Sequence, residues 1–227
     1  FYSELNFSAL AISPSHEVRS MKPVSENERL ECLKLLSKRG IFNIKCDRAS
    51  NLLCFLALLC GDFKIADYMI SHGANMQTFM REDKEYLEEI QFDDWLLFGI
   101  FECQKGVAKL IELSSTEEKR FAMPEDLLQT FLGNGQNEFA QIFNLVEVKT
   151  KLVIELFEDA LENSYSQAVH AIATSNQIRS KQTLSKLLDL ATKYHAPEAT
   201  AILLDRQKEF QGKAKTTKTS RRSSLSL

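Results

Sequence analysis

The residues Asn51–Asn75, NLLCFLALLCGDFKIADYMISHGAN, narrow the fold more than any other stretch of the chain. Leu52–Cys60 is apolar throughout, which predicts a helix buried on most sides. Gly61-Asp62 supplies a tight turn. Phe63–Ser71 then places Ile65, Met69 and Ile70 on one stripe and Lys64 and Asp67 off it, the pattern of an amphipathic helix. Gly73 stands where a helix C-terminus favours a residue able to take positive φ. A pair of short antiparallel helices cannot bury its apolar face alone, so the motif demands neighbours of its own kind.

Such neighbours recur. Leu33 in ECLKLLSKRG aligns with Ala66 in KIADYMISHG at a spacing of 33 residues. Ala108 in GVAKLIEL follows after 42, Ala140 in NEFAQIFNL after 32, Ala168 in SQAVHAIAT after 28 and Ala199 in PEATAILLDR after 31. Six second helices near one period are the signature of a repeat array. The partner helices fall in the same frame at Asp94–Glu102, Pro124–Leu132, Lys151–Leu161 and Thr183–Tyr194, with Glu28–Lys38 as the second helix of the first unit. Pro124 suits a first helical turn, with Glu125 and Asp126 at its positive end, and Pro197 opens the last helix. Phe131, Leu132, Phe139, Ile142 and Phe143 read as stacking core, as do Leu152, Leu156, Phe157, Val169 and Ile172. Lys186, Asp189, Lys193, Asp205 and Lys208 provide a polar outer face for the terminal unit.

The turn, second helix and loop, Gly61 to Asn75, resemble the second half of an ankyrin repeat. Ala57, Gly61, the Ile65-Ala66 pair and Gly73-Ala74-Asn75 fall at that family's spacing. Leu52-Leu53-Cys54-Phe55 replaces its Thr-Pro-Leu-His opening, and Phe7–Ile12 is similar to a degenerate copy of such an opening. The resemblance is clearest over residues 30–75 and 184–206; between them it is a helical rhythm without the Gly-Ala-Asp style loop. It implies an all-α solenoid of about six stacked helix-turn-helix, ankyrin-like repeats. It also implies a protein-interaction scaffold without chemistry of its own, binding through its concave side.

Composition fits this picture. Hydrophobic residues make up 44% and charged residues 26%, while eight glycines and four prolines are few for a hairpin-rich β fold. The net charge of −3 hides an asymmetry. Residues 211–227 carry Lys213, Lys215, Lys218, Arg221 and Arg222 and no acid, and are read as a disordered basic tail. Residues 1–210 are read as the repeat domain, with an insertion at about 14–27 and an acidic one at about 79–94. That body has 23 basic against 31 acidic residues, which disfavours nucleic acid. Five cysteines without a CxxC pair fit a reducing, cytoplasmic setting and argue against a zinc site. No apolar run reaches membrane-spanning length.

Catalytic motifs are missing from this reading. His16, His72, His170 and His195 join no Cys-His or Ser-His-Asp pattern, and His72, just before Gly73, suits a helix end. Gly133-Asn134-Gly135 lacks the Lys-Ser/Thr of a phosphate loop and is expected to be a turn. No cofactor, metal or catalytic residue is assigned, and the chain is expected to be a monomeric non-enzyme. The acidic stretch FMREDKEYLEEIQFDD, Phe79–Asp94, is extra to the repeat and is the candidate partner site, through Phe79, Glu82, Glu85, Tyr86, Glu89, Asp93 and Asp94. Carboxylates around a few aromatics suit a protein partner with a basic surface. The chain's start at Phe1 without methionine supports a second expectation: a fragment of a larger secreted effector, acting in a host cytosol, whose enzyme domain lies elsewhere.

Overall fold

A computed structural model describes residues 24–40, 47–81, 87–88, 90–116 and 119–223, with side chains described up to Gln211 except at Asp47. Among the described residues there are twelve helices and no strand. Two compact units are present, Phe1–Asn43 and Ile44–Leu227.

The first unit contributes α1 (Glu26–Lys38). It starts two residues earlier than the expected Glu28–Lys38 because Ser25 and Glu28 close a capping box. Ser25 Oγ accepts from the Glu28 amide and the Glu28 carboxylate accepts from the Ser25 amide at 2.8 Å. Backbone and side-chain hydrogen bonds from Ser25 hold the Glu28 carboxyl below its ordinary range.

The second unit holds five helix pairs: α2 (Asp47–Leu59) with α3 (Phe63–Ser71), α5 (Phe92–Glu102) with α6 (Gln104–Ser114), and α7 (Glu125–Asn134) with α8 (Gln136–Ile142). α9 (Thr150–Glu162) pairs with α10 (Ser166–Thr174), and α11 (Lys181–Lys193) with α12 (Pro197–Ser223). One short helix, α4 (Met76–Phe79), follows α3. First helices pack on first helices in the order α2, α5, α7, α9, α11, and second helices pack in the order α6, α8, α10, α12. The exception is α6, which sits on α2 and α4.

The core runs along this stack. Phe131, Leu132, Phe139, Ile142, Phe143, Leu152, Leu156, Phe157 and Ile172 are buried as their spacing predicts, and Val169 is half-buried. Each such side chain stabilises by about 1.5–3 kcal/mol relative to exposure. The apolar helix α2 is the most enclosed, with Cys54, Phe55, Leu58 and Leu59 out of solvent. Burial, and after it the charge of Asp67, pushes the Cys54 thiol up to about 12. Gly106 lets α6 approach α2 so closely that a Cβ there would lie 1.8 Å from the Leu58 carbonyl oxygen.

Within three of the pairs the first helix ends the same way. After α2, the Asp62 amide donates to Ala57 O and the Gly61 amide to Leu58 O, with Gly61 at φ +75°. After α9 the matching bonds are Tyr165 to Ala160 and Ser164 to Leu161, with Ser164 at φ 59°. After α11 they are Ala196 to Ala191 and His195 to Thr192, with His195 at φ 52°. This left-handed helix stop normally selects glycine; here serine and histidine also supply it.

The segments between pairs bond to one another, as the helical rhythm alone does not foretell. The Phe121 amide donates to Leu145 O and the Glu147 amide to Phe121 O, both at 2.8 Å. The Asn176 amide donates to Asn144 Oδ1, and Gln177 Nε2 donates to Val146 O at 2.7 Å. Arg206 on α12 donates from Nη1 to the carbonyls of Ala173 and Ser175, satisfying the end of α10. The last helix continues as backbone through Gln211 to Ser223, over a stretch that composition alone reads as structureless.

Candidate functional site

The acidic segment leaves the stack after α3. The buried Asn51 side chain accepts the Asn75 amide at 2.6 Å, so α2 sets where the chain departs. Asn75 in turn caps α4 by accepting from the Thr78 amide. Phe79 then turns inward and is fully buried, its ring 5.3 Å from that of Phe55. The chain returns at Phe92, whose ring stacks on the same Phe55 at 5.2 Å. Both feet of the segment therefore stand on one side chain of α2.

This placement sorts the expected partner residues. Phe79 is a core residue and has no surface to offer a partner. Glu82, Glu85, Tyr86 and Glu89 lie outside the described residues. Asp93 and Asp94 are exposed in the first turn of α5, where carboxylates favour the positive helix end. Partial burial first, then the charges of Asp126 and Asp94, raise the Asp93 carboxyl above its ordinary range. Three carboxylates thus gather where the N-termini of α5 and α7 adjoin. Glu125 beside them pairs with Lys149 at 2.7 Å.

An open cleft of about 670 Å³ lies next to this group, lined by Met80, Arg81, Asp94, Lys119, Arg120 and Phe121 among others. Arg120 gives Nη2 to Asn176 Oδ1 at 2.7 Å, linking the cleft wall to the next connecting segment. Its lining carries both signs of charge and includes Phe92. Among the described residues no group of three histidine, cysteine or acidic side chains is placed to hold a metal ion. His72 ends α3 with Nδ1 2.8 Å from Tyr68 O, while His170 is exposed on α10 and His195 is exposed in the turn after α11. Ser71 Oγ lies 3.1 Å from the same His72 Nδ1 and itself donates to Tyr68 O at 2.7 Å, so this contact belongs to the end of α3.

One feature of α5 has a sequence signal that the charge pattern obscured. Aromatic residues stand at 92, 95, 98 and 101, every third position. At about 100° per residue, nine residues rotate the side chain by roughly 180° relative to the start. Phe92 is accordingly 7% exposed, Trp95 is half-buried, Phe98 is 41% exposed and Phe101 58%. Trp95 meets Phe98 edge to face at 5.7 Å. The stripe begins in the core and ends in solvent.

Among the described residues, no helix is long and apolar enough to cross a membrane. The chain matches no protein-family model, no curated protein and no solved structure.

Proposed function

We propose that the chain is a non-enzymatic scaffold for protein–protein interaction, built as a stack of ankyrin-like helix pairs. The observation that carries this reading is the separation of its long-range hydrogen bonds. Ser115 to Leu145, Asn176 to Asn144, Gln177 to Val146, Lys193 to Glu158 and Arg206 to Ala173 span 30 to 35 residues. A stack with a period near 33 joins equivalent positions of adjacent units at that separation. The pairwise order of helix packing supports the same architecture.

Stacks of this kind present long faces of exposed side chains on a rigid core, which suits recognition of another protein. The acidic group at Asp93, Asp94 and Asp126 favours a basic partner surface. Selection of displayed protein domains and peptides against the immobilised chain tests the function. Saturable binders whose hydrogen-exchange footprints fall on exposed helix faces are expected. A selection without any saturable binder, or a small-molecule substrate turned over by the pure chain, overturns the proposal.

A further inference from the structure

We propose that the exposed aromatic face of α5 docks a cationic segment of a partner protein, one carrying arginine or lysine beside apolar side chains. This rests on the scaffold reading and moves its site from the acidic segment to Trp95, Phe98 and Phe101. Phe98 and Phe101 lie one turn apart on one side of α5, and Trp95 braces Phe98. Large aromatics held rigidly and left in solvent are what interface anchors are made of. Elsewhere in the second unit the exposed large apolar side chains, Phe63 and Leu204, stand singly on other helices, and scattered singles need no partner to explain them.

Charge complementarity identifies the occupant. α5 carries Asp93, Asp94 and Glu102 and no basic residue. Its neighbour α7 carries Glu125 and Asp126, again with no base. Asp94 precedes Phe98 by four residues and Glu102 follows it by four, so carboxylates border the aromatic stripe at both ends. Among the described residues no cation forms a salt bridge with Asp93, Asp94, Glu102 or Asp126. Partial burial raises the Asp93 carboxyl first, and the neighbouring charges of Asp126 and Asp94 add to the shift in keeping with this geometry. An arginine laid on Trp95 or Phe98 would meet an aromatic face and a carboxylate together. Carboxylates at both ends of the stripe disfavour a phosphate backbone or an anionic lipid and favour a cationic protein segment.

The test uses the full chain and two dye-labelled amphipathic peptides with identical apolar positions, one with arginine and one with glutamate on the polar side. Fluorescence anisotropy should give saturable, salt-sensitive binding of the arginine peptide alone. The double variant Phe98→Ser/Phe101→Ser should weaken it by at least about tenfold. Phe63→Ser, an equally exposed aromatic on α3, should leave it unchanged, with circular dichroism confirming the fold of each variant. Asp93→Asn/Asp94→Asn should slow association and flatten the salt dependence. Equal binding of both peptides, no binding of the arginine peptide, or an equal loss with Phe63→Ser overturns the proposal. So does concentration-dependent dimerisation removed by Phe98→Ser/Phe101→Ser, which makes a second copy the occupant. Selected partners whose footprints lie elsewhere sink this site while leaving the scaffold reading intact.

Discussion

Gly106→Ala probes the closest helix contact in the second unit. The added Cβ would stand 1.8 Å from Leu58 O and 2.7 Å from Leu58 C, whereas ordinary contact begins near 3.4 Å. The obstacle is backbone, so no rotamer change relieves it. Reaching even 3.0 Å requires α2 and α6 to separate by about 1.2 Å in a close-packed interior. Overpacking typically costs about 1–3 kcal/mol, and a backbone clash belongs at the upper end. Alanine returns at most about 1 kcal/mol of helix propensity, less near a helix start. A net loss of about 2 kcal/mol or more follows. Two glycines calibrate the argument. At Gly99 a Cβ meets only side chains, Leu59 Cδ2 at 2.6 Å and the stiffer Val107 Cγ2 at 2.9 Å, so Gly99→Ala should cost about 1 kcal/mol, less than Gly106→Ala. At Gly133 nothing lies within 4 Å, and Gly133→Ala should stabilise by up to about 1 kcal/mol. Urea unfolding followed through Trp95, the sole tryptophan, reads the region directly. A Gly106→Ala midpoint equivalent to wild type within about 0.5 kcal/mol, or a larger loss at Gly99, would refute the reasoning.

The left-handed stops after α9 and α11 offer the opposite experiment. Ser164→Gly and His195→Gly should each stabilise by roughly 0.5–1 kcal/mol, because relief of a strained φ exceeds the added chain entropy; a loss of stability on thermal unfolding contradicts this. The Glu28 carboxyl is depressed in the folded chain, so its contribution to α1 is complete above the ordinary 4.5 and lost as pH falls through the lower folded value. Backbone carbon shifts of α1 should lose helical offset on acidification, and Glu28→Gln should remove the pH dependence. Cys54, with its thiol at about 12, should resist alkylation at pH 8 until the chain unfolds, whereas exposed Cys32 reacts in the native state; peptide mass spectrometry distinguishes them.

Helices were the legible part of the sequence, because glycine, proline and apolar spacing act locally. Gly61, Gly73, Pro124 and Pro197 mark boundaries within a residue or two of those observed. Ser164 and His195 hide the same turn, since a left-handed φ in a non-glycine residue leaves no compositional trace. The bond from the Asn176 amide to Asn144 Oδ1, and those from Gln177 and Arg206 to distant carbonyls, are unreadable for a different reason: each depends on a partner more than 30 residues away. Phe79 was misassigned to the surface because an aromatic inside an acidic run looks like a recognition residue. Its burial follows from the α4 turn, which aims it at Phe55. Within the candidate site, Asp93 and Asp94 were visible as charge. The exposed end of the aromatic stripe required the helix phase, set by Phe92 entering the core.

The shared footing of Phe79 and Phe92 on Phe55 has a consequence for the length of the chain between them. Twelve residues leave and return at ring distances of 5.3 and 5.2 Å from a single side chain. Doubling such a span costs only about 0.6 kcal/mol of closure entropy. Excision of Phe79–Asp94 would destroy both anchors and the start of α5, but exchange of the residues between the two phenylalanines would not. The paired rings thus hold the exit and the return of the chain on one residue of α2.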